Sequence, residues 1–277
     1  MFQEIHGDVT LLKFERLSRE AGFVHALAGR PRNYAPHRGE GRHDALEARR
    51  RVCDILGLPF ERLTSPAQVQ AAEVVRVEPS DWGRGRDGRA SALPYVDGLI
   101  CDAPGVPLIL LSADCPLVCV YDPMTPALGA VHAGWQGTIA GAADNLIAQM
   151  RRSFGSDPDR LLGGISPCAG SCCYEVGEDV RRIAATRLPD AEEVLAVRDG
   201  RLTFDLSGAN RNQLLRAGLR PEHVESSDVC TLCDSRFWSH RRDGSQAGRN
   251  ALFLALGASG LGLVTGSLLD GIPVRAC

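Results

Sequence analysis

The sequence predicts a single α+β domain over residues 1–277, with mixed β-sheets flanked by helices. Three observations carry this. Strand candidates and helical segments interleave irregularly, where a doubly wound parallel sheet would alternate them. Two apolar runs, 116–121 and 127–131, are separated only by "DPMTP", a turn signal that folds them into an antiparallel hairpin. The chain has 277 residues, 44% hydrophobic and 23% charged, enough for one large core, and no linker-like stretch divides it.

The elements follow in chain order. "HDALEARRRVCDILGL" predicts a helix over 43–57 that begins at an Asp44 cap, carries Leu46, Val52, Ile55 and Leu56 on one side, and stops at Gly57. "EVVRV" (73–77) reads as a strand. "PSDWGRGRDGRASALPY" (79–95) is a Gly- and Arg-rich loop, either a surface loop or a flap. "PLILLS" (107–112), "PLVCVY" (116–121), "ALGAV" (127–131) and "LLGGI" (161–165) are further strands. "GTIAGAADNLIAQMRRSFG" predicts a helix over 139–154 with Thr138 as N-cap and Ile139, Ala143, Leu146, Ile147, Met150 and Phe154 at helical spacing. "DLSGANRNQLLRAGLRP" predicts a helix from an Asp205 cap to Gly218, with Pro221 just beyond.

Composition narrows the function. The net charge is −3 and no basic stripe interleaves with aromatics, which argues against a nucleic-acid partner. The N-terminal "MFQEIHGDVTLLKFERL" does not read as a signal peptide. No stretch reads as a membrane span, which needs roughly 18 uncharged apolar residues. Ten cysteines without an export signal are expected to be mostly reduced thiols in a cytoplasmic protein. Lys13 is the sole lysine, so Schiff-base chemistry would have no other amine.

The hairpin points to chemistry. With the turn centred near residue 124, Tyr121 faces Ala127, Leu117 faces Val131 and Pro116 faces His132, so Cys115 lies beside His132 at the open end. A slip of one residue would flip the side chains to the other face. Pro116 cannot donate to the ladder, and the irregularity this causes can turn Cys115 toward the histidine. Next comes "AGWQGT", whose glycines let the backbone approach a ligand and whose helix start offers N–H groups to an anion. Cys115 and His132 are therefore candidate catalytic residues, with Asp114 either orienting His132 or capping a turn. Two chemistries fit the pair: thiolate and imidazole as ligands of zinc or copper, or a metal-free thiolate nucleophile activated by histidine.

Five motifs in order, "SADCPLVCVYDP", "VHAGWQGT", "GGISPCAGSCCYEVG", "DLSGANRNQLL" and "VCTLCDSRFWSHRRDGSQAGR", resemble the laccase-domain family, also called the polyphenol oxidase or purine nucleoside phosphorylase-like family. The resemblance implies the fold of certain toxin cysteine hydrolases and a zinc site of one cysteine and two histidines. It also implies phosphorolysis of adenosine and inosine and deamination of adenosine, with purine nucleoside and phosphate as small-molecule partners. An older description of the family, a copper-dependent oxidase of phenols, is the less expected one. The family's cysteine falls on Cys115 and its second histidine on His132. Its first histidine, in a Gln-Val-His-Gly motif, falls on Gln70 of "QVQA", which leaves the zinc site without its third ligand; His25 and His240 are the substitutes to consider. Arg241, Arg242 and Arg249 are candidate phosphate-binding residues beside Gln70. Glu175 is a possible acid or base. Cys168, Cys172, Cys173, Cys230 and Cys233 form a second group, fit for a structural metal, a redox pair or packing. Two further readings stay open: a metal-free Cys–His hydrolase and a catalytically silent nucleoside-binding protein.

Overall fold

The computed structural model describes residues 1–36 and 41–257. Its strands are β1 (Phe2–His6), β2 (Val9–Lys13), β3 (Phe23–Ala28), β4 (Val74–Arg76), β5 (Gly98–Cys101), β6 (Leu108–Ser112), β7 (Leu117–Asp122), β8 (Ala127–His132), β9 (Leu162–Ile165), β10 (Leu195–Arg198), β11 (Arg201–Phe204), β12 (Val224–Ser226) and β13 (Asn250–Leu256). The helices are α1 (Arg42–Leu56), α2 (Trp135–Ile139), α3 (Ala142–Phe154), α4 (Glu178–Arg187), α5 (Ala191–Val194), α6 (Leu206–Arg216) and α7 (His240–Asp243).

Two sheets stack face to face. One is five-stranded and antiparallel, in the order β1-β2-β3-β13-β6; the other is six-stranded and mixed, in the order β12-β9-β7-β8-β5-β4. Period-2 alternation sends Leu27, Leu110, Leu252 and Leu254 of the first sheet and Leu99, Leu117, Cys119 and Leu128 of the second into one shared core. The opposite faces are covered by helices. Val52 and Cys53 of α1 pack on Ile109, Ala251 and Phe253 of the first sheet. Leu146, Ile147 and Met150 of α3, with Leu214 of α6, pack on Ile100, Val118 and Val131 of the second. The result is a four-layer α/β/β/α sandwich. β7, β8 and β13 are buried along their whole length, each large apolar side chain contributing roughly 1.5–3 kcal/mol.

Several expected elements lie within one or two residues of their expected bounds, and others shift for local reasons. Asp205 caps α6 by accepting from the Gly208 N–H at 2.9 Å. The expected 139–154 helix is broken in two. Gly141 takes a left-handed φ of 79°, which ends α2 and restarts the chain as α3, so Thr138 lies inside α2 and is not an N-cap. α1 begins after Gly41, with Asp44 in its first turn, and buries Ala45, Ala48, Arg49 and Cys53 beside the expected Val52, with Ile55 and Leu56 partly buried against the same core. The hairpin register is one residue from the expected one: Asp122 pairs with Ala127 and Leu117 with His132. Asp122 belongs to the strand because its Oδ1 accepts from the N–H groups of Met124 and Thr125, both at 3.0 Å, which closes the turn as a four-residue loop. The 79–95 loop is pinned: buried Arg49 donates to the carbonyls of Gly85 and Arg86 at 3.0 and 2.7 Å.

Candidate active site

The sheet registers build the site. On one side of β8, Gly98 pairs with Val131, so Asp97 comes next to His132, and the His132 N–H donates to the Asp97 carbonyl at 2.9 Å. On the other side, the Ala133 N–H donates to the Pro116 carbonyl at 2.9 Å, which brings Cys115 opposite Gly134. A Cβ placed on Gly134 would stand 3.0 Å from Cys115 Sγ and 3.6 Å from His132 Cε1, so sulfur and ring converge over a glycine that leaves them room. Cys115 Sγ and the His132 ring thus both border the space over Gly134. The Ser112 hydroxyl, at the end of β6, donates to the Cys115 carbonyl. Asn250 pairs with Ser112 across β13 and β6, which brings Arg249 to the same end of the sandwich.

The residue that orients His132 is Asp97. His132 Nδ1 donates to Asp97 Oδ1 at 2.8 Å, and the Asp97 side chain is fully buried. Asp97 also accepts from three backbone N–H groups: Val69 at 2.9 Å, Gln70 at 3.1 Å and Ala71 at 2.8 Å. One carboxylate thus fixes the histidine and curls the 69–71 segment around itself. Burial alone would hold the His132 ring neutral. The negative charges of Cys115 and Asp97 and their hydrogen bonds outweigh burial and push its pKa up to about 10. Burial likewise pushes Asp97 up, but its bonds to His132 and the backbone prevail and hold it below the ordinary 3.8. The arrangement is a buried acid, a charged imidazole and a half-buried thiol in line, able to deliver a proton or to hold a thiolate.

A cleft of about 290 Å³ opens here, its walls including Gln70, Cys115, His132, His240 and Arg249. Arg89, exposed on the 79–95 loop, adds a cation at the rim. Asp114 is turned away from this cleft. With a φ of 89°, its Oδ1 accepts from Thr231 Oγ1 and its Oδ2 from the Arg241 N–H, both at 2.6 Å. It therefore anchors the turn that carries Cys115, the capping alternative of the sequence reading. Arg241 reaches the Glu175 carbonyl at 2.9 Å and lies over the Tyr174 ring. The Arg242 guanidinium donates to the carbonyls of Thr231 and Phe237, both at 2.6 Å, and to Asp243, so it braces a loop. Glu175 is exposed and pairs with Thr203 through its backbone. His25 is a core residue: its Nε2 accepts from the Phe14 N–H at 2.9 Å, and burial lowers its pKa to about 3. His240 lines the cleft with its Nδ1 3.1 Å from the Gly244 carbonyl. Among the described residues, no third His, Cys, Asp or Glu joins Cys115 and His132 within metal-binding reach. Two donors fall short of zinc's three protein ligands and of a His2Cys copper site, so the pair does not fit either metal.

Sequence reasoning did not single out Asp97. The signal was an acid directly before an apolar run, in "YVDGLI", but nothing local says that this run lies against β8.

Residues 17–257 match the family described as multi-copper polyphenol oxidoreductase laccase. The chain belongs to that laccase family. The match spans Gln70, Asp97, Cys115 and His132, and the motifs quoted above lie within it. Among laccase-family relatives, the chain is 37% identical over 226 residues to the purine nucleoside phosphorylase YlmD of Geobacillus stearothermophilus, covering 80% of this chain and 82% of that protein. It is 28% identical over 221 residues to adenosine deaminase RL5 of an unknown prokaryotic organism, covering 78% and 84%. The crystal structure of the Geobacillus stearothermophilus YlmD superposes with a TM-score of 0.85 at 33% identity, over 93% of this chain and 99% of that one. Among the described residues of this laccase-family chain, no helix is long and apolar enough to cross a membrane.

Proposed function

We propose that this chain acts on purine nucleosides in the cleft at Cys115 and His132, by phosphorolysis of adenosine and inosine and by deamination of adenosine. The observation that carries the reading is the Asp97–His132–Cys115 line at the head of a cleft, in a chain whose relatives bear those activities in their names. Phosphorolysis breaks the bond from C1′ to the purine nitrogen and joins C1′ to a phosphate oxygen, and the departing base takes a proton. His132, held charged by its two neighbours, is the donor. Arg249 in the wall and Arg89 at the rim supply positive charge for phosphate. In deamination, water adds to the purine C6 and ammonia leaves; Cys115, paired with His132, takes the water's proton. Because two donors do not fit zinc or copper, these steps are assigned to the side chains themselves.

The test is incubation with adenosine and inosine, with and without phosphate, reading free base, ribose 1-phosphate and ammonia. Phosphate-dependent base release that falls by about 10²-fold or more in His132→Ala is the expected result. Nucleoside binding without release of base or ammonia would instead mark a silent binding protein.

The same line favours a second reading, a metal-free thiol hydrolase with Cys115 as nucleophile; a covalent acyl adduct on Cys115 and indifference to nucleosides would establish it. The family's metal site gives a separate expectation. Gln70 stands in the same cleft wall as Cys115 and His132, so Gln70→His supplies the third donor. It is expected to add about one zinc per chain over the unsubstituted protein, read by elemental analysis; unchanged zinc content would show that position 70 is not what limits the site.

A further inference from the structure

Behind the active site, two loops meet through sulfur. Cys168 and Cys230 form a parallel bridge, with the Cys168 N–H donating to the Val229 carbonyl at 3.2 Å and the Thr231 N–H to the Cys168 carbonyl at 2.9 Å. Each loop then turns back on itself. The Cys173 N–H donates to the Gly170 carbonyl at 2.9 Å, and the Cys233 N–H to the Cys230 carbonyl at 3.2 Å. The turns bring the sulfurs of Cys172, Cys173, Cys230 and Cys233 within 4.8 Å of one another. A tetrahedral zinc with bonds of about 2.3 Å to sulfur spaces its ligands about 3.8 Å apart. The sulfurs of Cys172, Cys173 and Cys230 come this near to one another, within 4.8 Å. The Gly170 N–H points at Cys230 Sγ from 3.3 Å, a bond that strengthens when the sulfur is charged. Cys172 and Cys230 also line a second cavity, of about 410 Å³.

We propose that Cys172, Cys173 and Cys230 bind a thiophilic divalent metal ion, zinc foremost, as a clamp between the two loops. Soft sulfur donors at this spacing select zinc over magnesium or calcium. Each thiol that ligates gives its proton to solvent. Cys233, whose sulfur is disulfide-bonded, is left out of the ligand set; three thiolates and a water complete a tetrahedral site. The clamp has a consequence for the cleft. The two loops hold Asp114 from both sides, through the Ala169 N–H on its carbonyl at 2.7 Å and Thr231 Oγ1 on its carboxylate at 2.6 Å. Asp114 in turn anchors Cys115. The clamp stands independently of the nucleoside reading.

The test uses the full chain kept under reductant, stripped with a chelator, loaded with zinc and freed of excess. About one zinc per chain is expected, retained in His132→Ala and lost in the Cys172→Ser/Cys173→Ser double variant and in Cys230→Ser. Cobalt in place of zinc should give a thiolate charge-transfer band that the double variant lacks. Cys172 is exposed and Cys173 half-buried, so the double variant can be checked for native circular dichroism before the metal is read. No zinc on the unsubstituted chain, or zinc undiminished in a folded double variant, overturns the proposal.

Discussion

Asp97→Asn is expected to lower the proposed purine nucleoside turnover by about a thousandfold or more and to destabilise the fold by about 2–4 kcal/mol. The two carboxylate oxygens accept from His132 Nδ1 and from the N–H groups of Val69, Gln70 and Ala71. An amide keeps the shape but turns one acceptor into a donor. Whichever way it is placed, N–H groups face N–H groups in a fully buried spot. His132 loses the charge that holds its ring protonated and oriented, and the Gln70 segment loses its anchor. At roughly 2–4 °C per kcal/mol, thermal unfolding should shift down by about 4–16 °C. A variant with normal turnover and normal melting would remove Asp97 from the site.

The same pair sets a pH window. His132 has a folded pKa near 10, above its ordinary 6.5, so its contribution to stability is whole below 6.5 and fades as pH rises toward 10. Asp97 is depressed below 3.8, so its contribution is whole above 3.8 and fades as pH falls through its folded value. Both are fully present between 3.8 and 6.5. In Asp97→Asn the acid-side loss should shrink, because the carboxylate that must be protonated is gone.

His132→Ala is expected to slow alkylation of Cys115 by iodoacetamide at neutral pH by about ten- to a hundredfold, because the thiolate is the reactive form and loses its cationic neighbour. The protein reports this cleanly. Burial pushes the thiols of Cys53 and Cys119 up to about 12 and that of Cys101 to about 11, and lifts Cys168 well above its ordinary value. Exposed Cys172 is also raised, to about 12, first by desolvation and then by its sulfur neighbours. Peptide mapping after brief labelling should therefore find Cys115 modified well ahead of Cys53, Cys101, Cys119, Cys168 and Cys172. Equal labelling of Cys115 in both proteins would mean that the imidazole does not activate it.

Much of this site was legible in the chain, because much of it is local. The turn at Asp122–Pro126 is encoded by residues within five positions of each other, and β7 and β8 follow from it. A one-residue error in register remained, since the role of Asp122 as strand end depends on where its own side chain folds back. The break at Gly141 was missed because helical spacing continues through it, while one left-handed residue is enough to stop the helix. Strands β1, β2, β3, β5, β10, β11, β12 and β13 were not anticipated. β1, β11 and β12 mix polar with apolar residues, so the apolar run that marks β6 to β9 is absent from them.

By itself the sequence determined the hairpin and, through it, the meeting of Cys115 and His132, together with membership of the laccase family. Only the tertiary structure decided the third partner, the loss of Arg242 and His25 to structural work, and the gathering of sulfurs behind Asp114. The reason is distance along the chain. Asp97 lies 35 residues from His132, and Cys173 lies 60 from Cys233. Local patterns say which residues form a strand or a turn; which strand lies beside which is settled by the burial of whole faces at once.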